Sequence, residues 1–215
     1  MQIATSPMKT DAVPRTSRLR PSPNSQYDAA EITLHWATAL LVITLYFLAQ
    51  AWSFIHRGAP SRLEMQSIHV SLGICLAAVL MLRIAWRAGP GRRLPPATSG
   101  ITEIASEGVH YVLYLLLVTV VGLGFCFRWS QHLPLSFFGW FVIPAPYPFS
   151  QSQAALIGEL HYWVATTIII LAGGHASAAL FHHYVLHDGV LRRMLPAPAS
   201  VDHLFPRNPK SSDLT

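Results

Sequence analysis

Charge is the scarcest thing in this sequence. Of 215 residues only 12% are Asp, Glu, Lys or Arg, about half the share a soluble globular domain usually carries. Cysteine is scarcer still, with only Cys75 and Cys126. They stand apart, with no paired thiol spacing for zinc, and read as small buried core residues. The first 26 residues contain no apolar run, which argues against a cleaved secretory signal ahead of the first hydrophobic stretch.

What remains is strongly apolar. Hydrophobic residues make up 52% of the chain, and they gather in four windows, 32–54, 66–86, 109–127 and 160–186. Each is long enough to cross a hydrocarbon layer of roughly 30 Å at about 1.5 Å per residue. The expectation is an all-α membrane protein. Helix 1 follows a start signal at Asn24 and Ser25 and runs to about Phe54; helix 2 spans about Ser61 to Trp86. Gly89, Pro90, Gly91, Pro95 and Pro96 then make a stiff loop. Helix 3 spans about Ile101 to Arg128, and helix 4 about Ser152 to Leu186. Segment 129–148, with four prolines and a cluster of aromatics, cannot continue a helix and suits a cap at the membrane interface. The helical domain occupies 27–198, between polar tails at 1–26 and 199–215 that read as disordered.

The net charge of +5 is distributed as topology. Lys9, Arg15, Arg18 and Arg20 precede helix 1; Arg83, Arg87, Arg92 and Arg93 close helix 2; Arg192, Arg193, Arg207 and Lys210 follow helix 4. Arg57, Arg62 and Arg128 alone stand at the other side. Twelve against three places both termini in the cytoplasm by the positive-inside rule and leaves no nucleic-acid footprint. Short connections then favour an up-down-up-down four-helix bundle.

Histidine carries the chemistry. An ionisable ring in hydrocarbon is costly unless it faces the bundle interior and finds a partner. His35, His69, His161 and His175 lie within or just inside the apolar spans, and His110 opens the apolar part of helix 3. His161 and His175 are 14 residues apart, about 21 Å along the axis and about 40° in azimuth. They share a face at different depths, so no single ion can use both. By direction of travel, His35 matches the depth of His175, and His69 that of His161. Two imidazoles from two helices with a flat macrocycle between them is how a bundle holds a six-coordinate haem. With no C-x-x-C-H, any such haem is non-covalent. Gly73, Gly122, Gly124, Gly173 and Gly174 let a porphyrin approach the backbone. The rival readings are interhelical hydrogen bonding and a His-lined ion transporter, although the apolar spans of helices 2 and 4 contain no acidic residue to complete a cation site.

At these residues the chain resembles the bacterial cytochrome b-561 family. The resemblance rests on I-T-L-H-W at 32–36, S-I-H-V-S-L-G at 67–73, L-H at 160–161, G-H-A-S-A-A-L-F-H-H-Y at 174–184 and L-R-R-M-L-P at 191–196. It covers about 27–196, while the N-terminal tail and segment 129–148 depart from the family pattern. It implies two non-covalent b haems, each with two His ligands, in a four-helix inner-membrane protein that exchanges electrons with ubiquinone. The family's four ligands fall on His35, His69, His161 and His175. One member of the family is a superoxide oxidase, which makes superoxide a candidate outer reductant. A quinone-binding membrane anchor subunit of a hydrogenase or dehydrogenase complex is the alternative, and either form leaves room for a second copy or a soluble redox partner.

Other residues take secondary parts. Arg83 is read as a snorkelling arginine or a propionate partner of an inner haem. Arg128, alone on its loop, is read as an outer propionate partner, an attractor of anionic reductant or a solvated charge. His182, one heptad after His175, is a candidate wall of an inner quinone pocket, although His182, His183 and His187 all read first as interfacial histidines. His110 is the rival inner ligand, but its place at the helix end reads first as a solvated or propionate-bonded histidine. Trp36, Trp140 and Trp163 read first as interfacial belts.

Overall fold

The computed structural model of the protein describes residues 26–92, 94–95, 100–146 and 149–196. Four long helices dominate it: α1 Ala29–Ser53, α2 Pro60–Ala88, α3 Ile101–Ser130 and α4 Gln151–Tyr184. All four are long and apolar enough to cross a membrane. The tails expected to be disordered fall outside the described residues, except Gln26, as does Arg93.

The helix ends follow local chemistry. Helix α1 starts later than Asn24 and Ser25 suggested. Its cap is Asp28, whose carboxylate accepts the Glu31 N–H at 2.8 Å. The same carboxylate accepts the Trp86 indole N–H at 3.0 Å and the Arg92 backbone N–H at 3.1 Å. One acid therefore caps α1 and ties it to the end of α2. Burial works to raise the Asp28 carboxyl, but these bonds outweigh it and hold the group below its ordinary value. Helix α2 begins with Pro60, whose missing N–H costs nothing in a first turn. Helix α4 opens with a capping box in which Ser150 and Gln153 satisfy each other's backbone N–H groups.

Segment 129–148 is not merely irregular. Leu135–Phe137 (β1) and Phe141–Ile143 (β2) pair antiparallel, with Phe137 opposite Phe141. The turn uses positive φ at both Phe138 and Gly139, the handedness that fits a hairpin's twist. Ser71 pins this hairpin to α2: its hydroxyl accepts the Phe138 N–H at 3.0 Å and approaches the Ser136 carbonyl at 3.3 Å. Leu135, the first residue of β1, is fully buried. Trp140 stays 85% exposed, as an interfacial aromatic should.

At the opposite end a short 3-10 turn, Leu191–Met194, folds back over α1. The Trp36 indole donates to the Met194 carbonyl at 2.8 Å, and the Tyr27 N–H to the Arg193 carbonyl at 3.2 Å. This end holds both ends of the described chain, and the bias of basic residues makes it the inner one.

The helices associate as two hairpins. α1 packs closely along α2, and α3 along α4, whereas contacts between the pairs are sparse. The two hairpins are therefore loosely joined. Between them lies an apolar cluster of Leu80, Leu117, Val120 and Ile168. Most other large apolar side chains, such as Leu40, Phe47, Met81 and Leu115, point outward, which lipid tolerates as well as a protein core does.

Candidate functional site

The intramembrane histidines meet between the two hairpins. Ile168 stands midway between His161 and His175 in α4, so the apolar cluster separates an outer tier from an inner one.

In the outer tier, His69 of α2 faces His161 of α4 with ring centroids 6.4 Å apart. Two imidazoles on opposite sides of one metal, each bonded at about 2.0–2.1 Å, need about 6 Å between ring centres. His161 is also oriented: its Nδ1 lies 3.1 Å from the Val120 carbonyl. A carbonyl only accepts, so Nδ1 carries the proton and Nε2 keeps its lone pair. The Leu45 carbonyl faces His69, but outside full hydrogen-bonding geometry, and the buried Nδ1 of His69 has no bonded partner among the described residues. Phe127 stacks on His161 at 6.5 Å. Gly124 lies against the same ring, where a Cβ would stand 3.0 Å from its Cε1. The wall opposite is open: among the described residues nothing lies within 4 Å of where a Cβ on Gly73 would be.

The inner tier is more crowded. His35 of α1 interacts electrostatically with His175, His110 and Arg83. His110 and His175 touch edge to face with centroids 4.9 Å apart, too close to admit a metal between them in the trans arrangement. His110 also bonds the Ser106 carbonyl through Nδ1 at 2.6 Å. Gly173 and Gly174 are exposed, and among the described residues nothing lies within 4 Å of where a Cβ on either would be. The 6.4 Å spacing of the outer couple suits two imidazoles on one haem iron, and among the described residues no three His, Cys, Asp or Glu side chains converge as an ion cage would require.

Arg83 does not snorkel to the interface. It is 7% exposed, lies 5.0 Å from the Tyr114 ring centre, and places Nη2 3.0 Å from His35 Nδ1. A guanidinium only donates, so His35 Nδ1 accepts here. Behind Arg83 stands Glu31, a residue that the sequence pattern did not single out. Glu31 is 2% exposed, with Oε1 4.0 Å from Arg83 Nε and 3.6 Å from Arg87 Nη1. The signal was present, because Glu31 lies four residues before His35 and shares its helix face.

Arg128 belongs to the last turn of α3 rather than to a loop, and its Nε is buried without a partner among the described residues. His182 bonds the Asp188 carboxylate through Nδ1, a partner the sequence did not flag. Burial works to raise Asp188, but the His182 bond and the Val190 N–H hold it below the usual carboxylate range. His183 keeps a buried, unbonded Nδ1 among the described residues. Cys75 and Cys126 are free thiols.

The prokaryotic cytochrome b561 family matches residues 26–197. The chain is 31% identical over 176 residues to cytochrome b561 homolog 2 of Escherichia coli (strain K12), covering 81% of this chain and 94% of that protein. It is 32% identical over 179 residues to a protein of Yersinia pestis named probable superoxide oxidase CybB, covering 80% and 97%. Cytochrome b562 of Cereibacter sphaeroides is 30% identical over 173 residues, covering 79% of this chain and 94% of that protein.

Proposed function

The chain belongs to the prokaryotic cytochrome b561 family of electron-transfer membrane cytochromes, and from that premise we propose that it holds two b haems and passes electrons to ubiquinone. His69 with His161 would hold the outer haem, and His35 with His175 the inner one. The observation that carries the reading is the 6.4 Å His69–His161 spacing between two loosely joined hairpins. Haem b would supply one-electron exchange at iron, with its potential set by ligands, charge and burial.

The chain's own residues do the rest. The Val120 carbonyl holds His161 in the tautomer that ligates through Nε2. Ligation by His35 Nε2 requires the ring proton on Nδ1, so Arg83 must release that atom when the site is loaded. Its fork is then free for a propionate. Leu80, Leu117, Val120 and Ile168 keep water out between the tiers. Arg128 stands at the outer end as the cation that draws in a small anionic reductant. The relative named as a probable superoxide oxidase favours superoxide for that part. Two superoxide anions would each give up one electron and leave as dioxygen. Ubiquinone takes two electrons and two protons, and His182, oriented by Asp188, would hydrogen-bond a quinone oxygen on the inner side. With both termini cytoplasmic, the setting is the bacterial inner membrane.

A visible spectrum of the purified, dithionite-reduced protein with a pyridine haemochrome count tests this. Two protohaems per chain are expected. His69→Ala or His161→Ala should remove one, and His35→Ala or His175→Ala the other. One haem, or none, refutes the pairing; loss of haem from His110→Ala but not His35→Ala moves the inner ligand to His110. Absence of a Soret band would return the histidines to an ion-transport role, and a co-purifying soluble subunit would make the chain an anchor.

A further inference from the structure

Glu31 is a charged group buried where charge is expensive. At 2% exposure its Oε1 accepts no hydrogen bond from any described residue, and neither does Arg83 Nε donate one. The two atoms face each other at 4.0 Å. Arg87 closes the group at 3.6 Å from the other side, with its own side chain 51% exposed. Through Arg83 the group reaches His35 at 3.0 Å. A simple fastener between α1 and α2 would close its bonds. This one leaves a full negative charge, a full positive charge and a histidine in one poorly hydrated line.

Haem reduction adds one electron, so a nearby cation favours the reduced form and a nearby anion the oxidised form. Buried charges are weakly screened by solvent ions. We infer that Glu31 sets the potential of the inner haem: its carboxylate offsets the positive charge of Arg87 and of Arg83, whose fork stays beside that haem once it has released His35, and so holds the haem at a lower potential than the two arginines alone would impose. The inference rests on the two-haem reading. Glu31 touches neither ligand nor substrate, so it is a positioning residue acting through Arg83.

The test is a spectroelectrochemical titration of the haem-loaded protein in detergent, with haem counted first. Wild-type protein carrying fewer than two haems refutes the underlying reading and not this one. With two haems present, Glu31→Gln should raise one midpoint potential and leave the other in place. The expected size is about tenfold in the reduction equilibrium, about 59 mV for a one-electron couple. Glu31→Asp should restore the wild-type value. Arg87→Gln should move the same midpoint in the opposite direction and by less, because Arg87 is half exposed. Should Glu31→Gln fail to accumulate, Arg87→Gln decides alone. Midpoints that do not move, move together, or move with the opposite signs overturn the inference; a purely structural ion pair has no reason to shift one haem in both directions.

Discussion

Replacing Gly124 by Ala adds one methyl group to a wall that His161 already touches. The new Cβ would stand 3.0 Å from His161 Cε1 and 3.4 Å from Nδ1, whereas carbon atoms pack best at about 3.5–4.0 Å. The imidazole must withdraw by about half an ångström. The crowded edge carries Nδ1, which now sits 3.1 Å from the Val120 carbonyl. Withdrawal carries that contact toward about 3.6 Å, where it ceases to be a hydrogen bond. The bond fixes tautomer and ring direction, and losing such outer support typically costs about 10–100-fold in metal affinity, or about 1.4–2.8 kcal/mol. Haem should therefore leave the outer site of Gly124→Ala faster by about that factor. Transfer to excess apomyoglobin, followed in the Soret region, reads it directly. One of two phases should accelerate while the other keeps its rate. Leu115→Ala, on the lipid-facing side of the same helix and 66% exposed, should leave both phases unchanged. If Gly124→Ala leaves both phases unchanged too, His161 holds no metal through the geometry described.

Two further outcomes follow from the two ends of the molecule. Haem reduction by superoxide should slow with added salt, as the screening length falls from roughly 30 Å at 0.01 M to about 10 Å at 0.1 M. Arg128→Gln should slow it several-fold at low salt, and a stopped-flow rate indifferent to both changes would remove Arg128 from the reaction. At the inner end, Asp28→Ala should cost about 0.5–2 kcal/mol through loss of the α1 cap, measured as thermal loss of helix signal in detergent. Because the folded Asp28 carboxyl lies below its ordinary 3.8, its stabilisation is present above that pH and disappears as pH falls through the folded value. The difference between wild type and Asp28→Ala should therefore shrink below about pH 4; a difference independent of pH would show that the carboxylate charge plays no part.

Much of this protein is a property of short stretches of chain, and those parts are legible in the order of residues alone. The four apolar windows became α1 to α4 because span length and hydrophobicity are local quantities. The depth match of His69 with His161 followed from counting residues along helices of known direction, and the two rings do face each other. The inner tier was less legible. Counting matched His35 with His175 and left His110 as a rival, and only the packed azimuths set His110 against His175 and Arg83 against His35.

Membrane class, helix count, the orientation argued from twelve inner and three outer basic residues, and the histidine tiers can all be read along the chain. Each depends on rise per residue, transfer cost or charge bias, which act one segment at a time. Packing in three dimensions was needed to pair the helices as two loosely joined hairpins, to fasten a β-hairpin to α2 through Ser71, and to make Gly124 shape the seat of His161. Packing also turned Arg83 inward to Glu31 instead of outward to the interface, and set Asp188 to orient His182. These features depend on how one helix is rotated against another, and a rotation of a few tens of degrees changes a residue's neighbours without changing a letter of its sequence.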